Sequence, residues 1–133
     1  MSFTIKVNHT FSESDIKNLF IAAIDGGLSD WYTYYEMPED LYSEIAAEDQ
    51  AKKMSVKEQI GLELARSCCV EFVAYNKDGN EKKSYILTSD KLKAGMEKYF
   101  NKQDNPSLDS GDWDADVADK IFQYALFGEV VFS

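Results

Sequence analysis

Histidine and cysteine side chains are the first to consider for chemistry, because they act as bases, nucleophiles and metal ligands near neutral pH. The chain has one histidine, His9, and two adjacent cysteines, Cys68 and Cys69. A catalytic or metal site built on histidine needs partner residues that a single histidine does not supply. Neighbouring cysteines rarely form a disulfide, so we expect both to be buried thiols in a reducing compartment.

Motifs that bind phosphate or metal ions are the next candidates. The sequence has no Gly-rich phosphate loop, no GxSxG and no HExxH motif. An EF-hand loop needs glycine at its sixth position and glutamate at its twelfth. With Gly111 in sixth place the twelfth residue is Val117, and with Gly79 it is Tyr85. The sequence therefore predicts no metal ion and no cofactor, and it favours a protein that is not an enzyme.

Carboxylates are the reactive groups that the chain has in excess, with a net charge of −10. Residues 36–51, the first acidic segment, carry six acids and no lysine or arginine. Residues 104–119, the second acidic segment, carry six more and again no base, so the whole excess of charge lies in these two segments. Such a surface repels nucleic acid and anionic membranes. It can attract a basic protein, or it can simply keep a small protein in solution.

An aromatic stretch precedes the first acidic segment. The sequence DGGLSDWYTYYEMPED, residues 25–40, is rich in strand-forming residues and predicts an inner strand over residues 28–37. A packed strand is the simpler interpretation, and a patch that faces a partner is the sharper one, because Tyr and Trp are favoured interface anchors. The predicted partner-binding residues come from this stretch and the acidic segments: Trp31, Tyr32, Tyr34, Glu36, Glu39, Asp40, Glu44, Asp109, Asp112, Asp114 and Asp116.

Periodicity and capping signals predict a single α+β domain over residues 1–133. We expect a mixed, mostly antiparallel sheet of about five strands with helices packed mainly on one face. The predicted strands are residues 3–8, 28–37, 69–75, 81–87 and 129–132. Helices are expected after Ser12 and Ser55, with Pro38 in the first turn of another, over residues 89–100, and after Asp112 or Asp114. Gly26 or Gly27 is expected to end the first helix in a left-handed cap, and Gly128 the last.

Two stretches resemble a family of small phage and prophage proteins. The stretch IAAIDGGLSDWYTY, residues 21–34, has the family's helix, Gly-Gly and Trp-Tyr opening. The stretch DADVADKIFQYALFGEVVFS, residues 114–133, has its ending, with Ala118, Asp119, Gln123, Ala125, Leu126, Phe127, Gly128 and Glu129 leading to a terminal strand at 130–132. The likeness covers the first and last quarters, and relatives more often end in Tyr-Gly than in Ser133. It implies a phage or mobile-element origin and a location in the host cytoplasm, and it implies no activity.

The leading hypothesis is an acidic accessory protein that binds a host or phage protein with a basic surface. Its most concrete form is a nucleic-acid mimic that inhibits a host defence protein, with no direct contact to nucleic acid or membrane. One alternative is a small-ligand or enzyme site near Trp31, Tyr34, Tyr35, Glu36 and Glu129. Another is a structural phage component that forms a homo-oligomer.

Overall fold

A computed structural model of the chain describes residues 9–27, 32–36, 56–66, 69–75, 80–103 and 106–132, with residues 27, 32–36 and 56 described by their backbone alone. The strand predicted at residues 3–8 and the helix predicted after Pro38 lie outside these ranges. Across the ranges described, none of the helices has both the length and the apolar character that crossing a membrane requires.

The first helix, α1 (Glu13–Ala22), begins where the sequence predicts it. Ser12 Oγ accepts from the Asp15 N–H at 3.1 Å, and Asp15 Oδ2 accepts from the Ser12 N–H at 2.8 Å, which completes a capping box. The left-handed cap predicted at Gly26 or Gly27 is wrong, because the chain continues through a π-helical turn, Ala23–Gly27, and Gly26 has no positive φ.

Helix α2 (Val56–Arg66) confirms the helix predicted after Ser55 and packs against α1. The two helices approach closely at Gly61, where an added Cβ would lie 2.7 Å from the Cα of Lys17. At the end of α2, Arg66 Nη2 lies 3.1 Å from Glu13 Oε2 and Arg66 Nη1 lies 2.9 Å from Glu63 Oε1. Both ion pairs lie at the surface, so close backbone packing, more than charge, holds this helix pair together.

Three strands form an antiparallel sheet in the order β1-β2-β3: β1 (Tyr32–Glu36), β2 (Cys69–Tyr75) and β3 (Lys82–Thr88). The longer ladder joins β2 to β3 from Cys69↔Thr88 to Tyr75↔Lys82. The α+β class is confirmed, but the prediction of about five strands is wrong, because the described residues form three and helices hold most of the regular structure. Among the described strands β1 pairs with β2, and whether it is the inner strand that the sequence predicts depends on residues outside the description.

The core lies on one face of the sheet. Side chains of β2 alternate, with Val70, Phe72 and Ala74 fully buried. Helix α4 (Ala115–Phe127) covers this face, and its Phe122 ring lies 5.9 Å from Phe72 and 6.4 Å from Phe20 of α1, between ring centroids. One residue of α4 thus links the sheet to α1, so the helices and the sheet share one core.

Helix α3 (Ser89–Lys102) follows β3 directly and packs along α4. Its N-cap is Thr88, whose hydroxyl accepts from the Lys91 N–H at 3.1 Å. The buried face of α3 carries Leu92, Met96 and Tyr99, as the helical period predicts. Gly128, with φ 80°, ends α4 in the left-handed conformation, which also confirms the prediction.

The closing strand predicted at residues 129–132 is wrong, because these residues have no strand partner in the part of the chain that the structure describes. The side chain of Gln123 takes the place of a neighbouring strand. Its Oε1 accepts from the N–H groups of Val131 and Phe132 at 2.8 and 2.7 Å, and its Nε2 donates to the Phe132 carbonyl at 2.8 Å. The tail is therefore held by a side chain of α4 and not by a strand.

Candidate functional site

Residues 106–114 of the second acidic segment form the turn that leads into α4. Asp109 caps a short 3₁₀ turn (Ser110–Asp112) and accepts from the Gly111 N–H at 2.9 Å. Asp112 accepts from the Ser107 hydroxyl at 2.7 Å, and Asp114 caps α4 by accepting from the Val117 N–H at 3.0 Å. Each of the three carboxylates accepts a local hydrogen bond, and because each is exposed it also faces solvent.

An aromatic cluster lies next to this turn. The Trp113 ring is 5.5 Å from the Phe11 ring and 5.7 Å from the Phe100 ring, between centroids, and the Phe11 and Phe100 rings stack at 5.6 Å. The imidazole of His9 packs edge-on against Phe11 at 4.6 Å. Trp113 is 8% exposed and its Nε1–H donates to the Ser107 carbonyl at 2.9 Å. The indole therefore joins the acidic turn to the core.

A cleft of about 100 Å³ opens between the end of α3 and this turn. It is lined by Tyr99, Phe100, Gln103, Pro106, Ser107, Asp112, Trp113 and Val117. Its lining combines three aromatic residues with polar ones, and Asp112 is the acidic residue among them. Pockets for drug-sized ligands have roughly 300–1,000 Å³, so this cleft has room for a side chain and not for a cofactor.

The carboxylates at the start of α4 also act on the wall of the cleft. Burial raises the pKa of the Tyr99 phenol, Lys120 opposes that rise, and Asp116 and Asp114 add to it. The Asp116 carboxylate accepts a hydrogen bond from Lys120 at 3.1 Å, which raises the pKa of Lys120. This pair is exposed and contributes little to stability. Tyr99 therefore stays a neutral phenol beside an acidic surface.

Helix α1 supports the turn from the other side. Asn18 Nδ2 donates to the Ser110 hydroxyl at 3.2 Å. Burial favours the neutral form of Asp15, but hydrogen bonds from Ser12 and Ser110 and the charge of His9 outweigh it, so the pKa of Asp15 lies below its usual value. Asp15 is therefore a further carboxylate that stays ionised at the base of the acidic turn.

The predicted partner-binding residues divide into three groups. Asp109, Asp112, Asp114 and Asp116 lie together around the turn and the start of α4. The backbone of β1 contains Tyr32, Tyr34 and Glu36, whose side chains are outside the description. The third group lies outside the described residues and consists of Trp31, Glu39, Asp40 and Glu44. The description therefore does not include the position of the first acidic segment relative to the second.

Sequence reasoning missed the aromatic walls of the cleft. Phe100 and Trp113 line the cleft from either side of a loop, and Phe11, which packs on both rings, comes from a distant part of the chain, so no local pattern joins the three. Trp113 alone gave a signal, since a large apolar residue inside an Asp-rich segment is out of place on a fully solvated loop. The alternative site near Trp31, Tyr35 and Glu36 rests on side chains outside the description, and Glu129 is an exposed residue after the α4 cap.

The residues that the structure describes include no group of three His, Cys, Asp or Glu side chains suited to hold a metal ion. Cys69 is a half-buried free thiol on β2, and Cys68 lies outside the description. Comparison of the chain with protein-family models, curated proteins and solved structures finds no match.

Proposed function

We propose that the protein is a non-enzymatic accessory protein that binds a basic protein partner through the acidic turn and the cleft beside it. The acidic surface is defined as Asp109, Asp112 and Asp114. The observation that carries the proposal is that these carboxylates are exposed, bond only to backbone N–H or hydroxyl groups, and form no ion pair within the described part of the chain.

Three unneutralised carboxylates within six residues repel one another, and their capping bonds offset only part of that repulsion. A partner that supplies lysine or arginine side chains removes the repulsion and gains charge-assisted contacts. The long-range field of the chain, with its net charge of −10, also speeds encounter with a basic surface. Both effects weaken as the salt concentration rises, so the proposal predicts that affinity for the partner falls with added salt.

The most concrete form of this function is a nucleic-acid mimic that inhibits a host defence protein. A groove that binds DNA or RNA is lined by cations placed to meet phosphates, so an acidic surface can occupy it in competition with nucleic acid. The resemblance of residues 21–34 and 114–133 to phage and prophage proteins supports the host cytoplasm as the place of action. In this form the first acidic segment and Trp31, Tyr32 and Tyr34 are further contact residues proposed from the sequence alone.

A comparison of two variants of equal charge tests the proposal. The surface variant, D109N/D112N/D114N, removes three negative charges but keeps every capping oxygen, because Asn caps helices about as well as Asp. The control variant, E81Q/D90N/E97Q, removes three charges from exposed residues elsewhere. Each protein is immobilised, exposed to bacterial lysate, and washed with increasing salt.

We expect the wild-type and control proteins to retain the same basic protein, the surface variant to lose it, and duplex DNA to displace it. Capture that is equal for all three proteins would show that the acidic surface is not the binding site. Loss with both variants would show that overall charge, and not this surface, attracts the partner. Retention in the presence of excess DNA would exclude the mimic.

A further inference from the structure

We infer that the cleft beside Trp113 receives one long basic side chain, lysine or arginine, from the partner. This inference rests on the proposed function and names the group that the site recognises. Lysine and arginine combine an apolar stem with a charged head, and they bury the stem on apolar surface while the head stays near water or a carboxylate. The cleft offers both kinds of group, because aromatic residues and Asp112 line it together.

The aromatic walls favour a cation as well as a hydrocarbon stem. Phe100 and Trp113 are tilted by 42° with centroids 5.7 Å apart, and both line the cleft. A cation within about 6 Å of such a ring is attracted by the electrons of its face, most strongly for Trp. Tyr99, whose phenol stays neutral, lines the same cleft. The cleft thus suits the ammonium group of lysine or the guanidinium group of arginine together with the apolar stem of that side chain.

The charges around the cleft are complementary to this occupant. Asp112 lines it, and Asp109 and Asp114 flank Asp112 in the sequence and face solvent. The base on α4 that acts on Tyr99, Lys120, is already paired with Asp116. His9, which packs on Phe11 behind the cleft, lies in the field of Asp15. The lining itself contains Asp112 and no basic residue, so a basic side chain entering the cleft meets an acidic residue there.

The size of the cleft selects a single side chain over a free ligand. About 100 Å³ is well below the volume of a pocket for a drug-sized molecule. Side chains buried in small pockets at the centre of an interface, arginine prominent among them, supply much of the binding free energy of protein complexes. The acidic surface would then attract the partner from a distance, and the cleft would fix the position in which the partner binds.

Two short peptides of equal charge separate insertion into the cleft from attraction by the surface. One alternates lysine with serine, and the other replaces lysine by diaminobutyric acid, which keeps an ammonium at neutral pH on a stem two methylene groups shorter. Binding is followed by NMR, with the indole N–H signals of Trp31 and Trp113 assigned through Trp31→Phe. Asp112→Asn tests the carboxylate at the cleft. Asp90→Asn, at the far end of α3, is its matched control.

We expect the lysine peptide to bind roughly threefold to tenfold more tightly than the short-stem peptide and to shift the Trp113 and Phe100 signals. Asp112→Asn should weaken the lysine peptide more than Asp90→Asn does. Equal binding of the two peptides with unchanged Trp113 signals would overturn the inference and leave the proposed function standing. Failure of both peptides to bind would overturn the proposed function and the inference with it.

Discussion

The side-chain amide of Gln123 binds both backbone polar groups of Phe132. Its Oε1 accepts from the Phe132 N–H at 2.7 Å, and its Nε2 donates to the Phe132 carbonyl at 2.8 Å. The same Oε1 accepts from Val131, and the same Nε2 donates to Asp119 at 3.1 Å. All four hydrogen-bonding positions of this fully buried amide are thus used. The amide anchors the tail to α4, whose other end is capped by Asp114 of the acidic surface.

Replacing Gln123 by methionine should destabilise the protein by about 1–3 kcal/mol, because the tail loses its hydrogen-bond partners while side-chain volume is kept. Gln59 on α2 provides the matched control. It is 2% exposed, and its Nε2 has no hydrogen-bond partner within the described residues. Gln59→Met should therefore be neutral or stabilising by up to about 1 kcal/mol. Urea unfolding measures both changes, and equal losses would contradict this account of Gln123.

Gly95→Ala should destabilise the protein by about 1–3 kcal/mol, because a Cβ on α3 would overpack against α4. That Cβ would lie 2.8 Å from both the Ile121 carbonyl and the Ala125 N–H nitrogen, and helix backbones cannot move apart without loss of packing. Gly26→Ala is the control, since its Cβ would meet Ala115 Cβ at an ordinary 3.6 Å. A thermal melt of Gly95→Ala indistinguishable from that of Gly26→Ala would refute the close approach of α3 and α4.

Local signals in the sequence predict those parts of the fold that local contacts determine. Ser12 with Asp15, the cap at Asp114 and the stop at Gly128 are correct because each depends on residues at most four apart. The closing strand is wrong because its apolar pattern is typical of a strand, while its actual partner is a side chain on a helix. The position of β1 also depends on long-range pairing, which periodicity does not specify.

Asp114→Ala should cost about 1 kcal/mol of stability, because α4 loses the side chain that caps its first turn. Asp114→Asn keeps the oxygen that accepts from Val117 and should unfold close to the wild-type midpoint. Urea unfolding of the two single variants measures this difference. The same measurement is a control for the surface variant, which contains Asp114→Asn. A large loss of stability in Asp114→Asn would mean that the surface variant binds weakly because it is partly unfolded.

The stability contributed by Asp15 should decline in acid. Its pKa in the folded protein lies below the ordinary 3.8, so its contribution is complete above that value and is lost as the pH falls through the folded pKa. The difference in unfolding free energy between wild type and Asp15→Asn should therefore be largest near about pH 6 and shrink toward about pH 2. A difference that stays constant over this range would show that the carboxylate charge has no part in the capping box.

Composition predicts the charged residues of the candidate site, and the fold forms the cleft beside them. The run of acids without a base identifies Asp109, Asp112 and Asp114 directly from the sequence. The cleft beside them depends on Phe100 and Trp113 meeting across the end of α3, which only the packing of α3 against α4 brings about. Local pattern therefore finds the charge but not the cavity that gives it a defined occupant.

The most direct test of the central claim is a titration of the lysine peptide into wild type, surface variant and control variant over a range of salt concentrations. If Asp109, Asp112 and Asp114 form the binding surface, the surface variant binds weakly with a shallow salt dependence, while the control variant matches wild type. If the two variants, which lack the same number of negative charges, lose affinity equally, binding follows overall charge, and the acidic surface has no specific role.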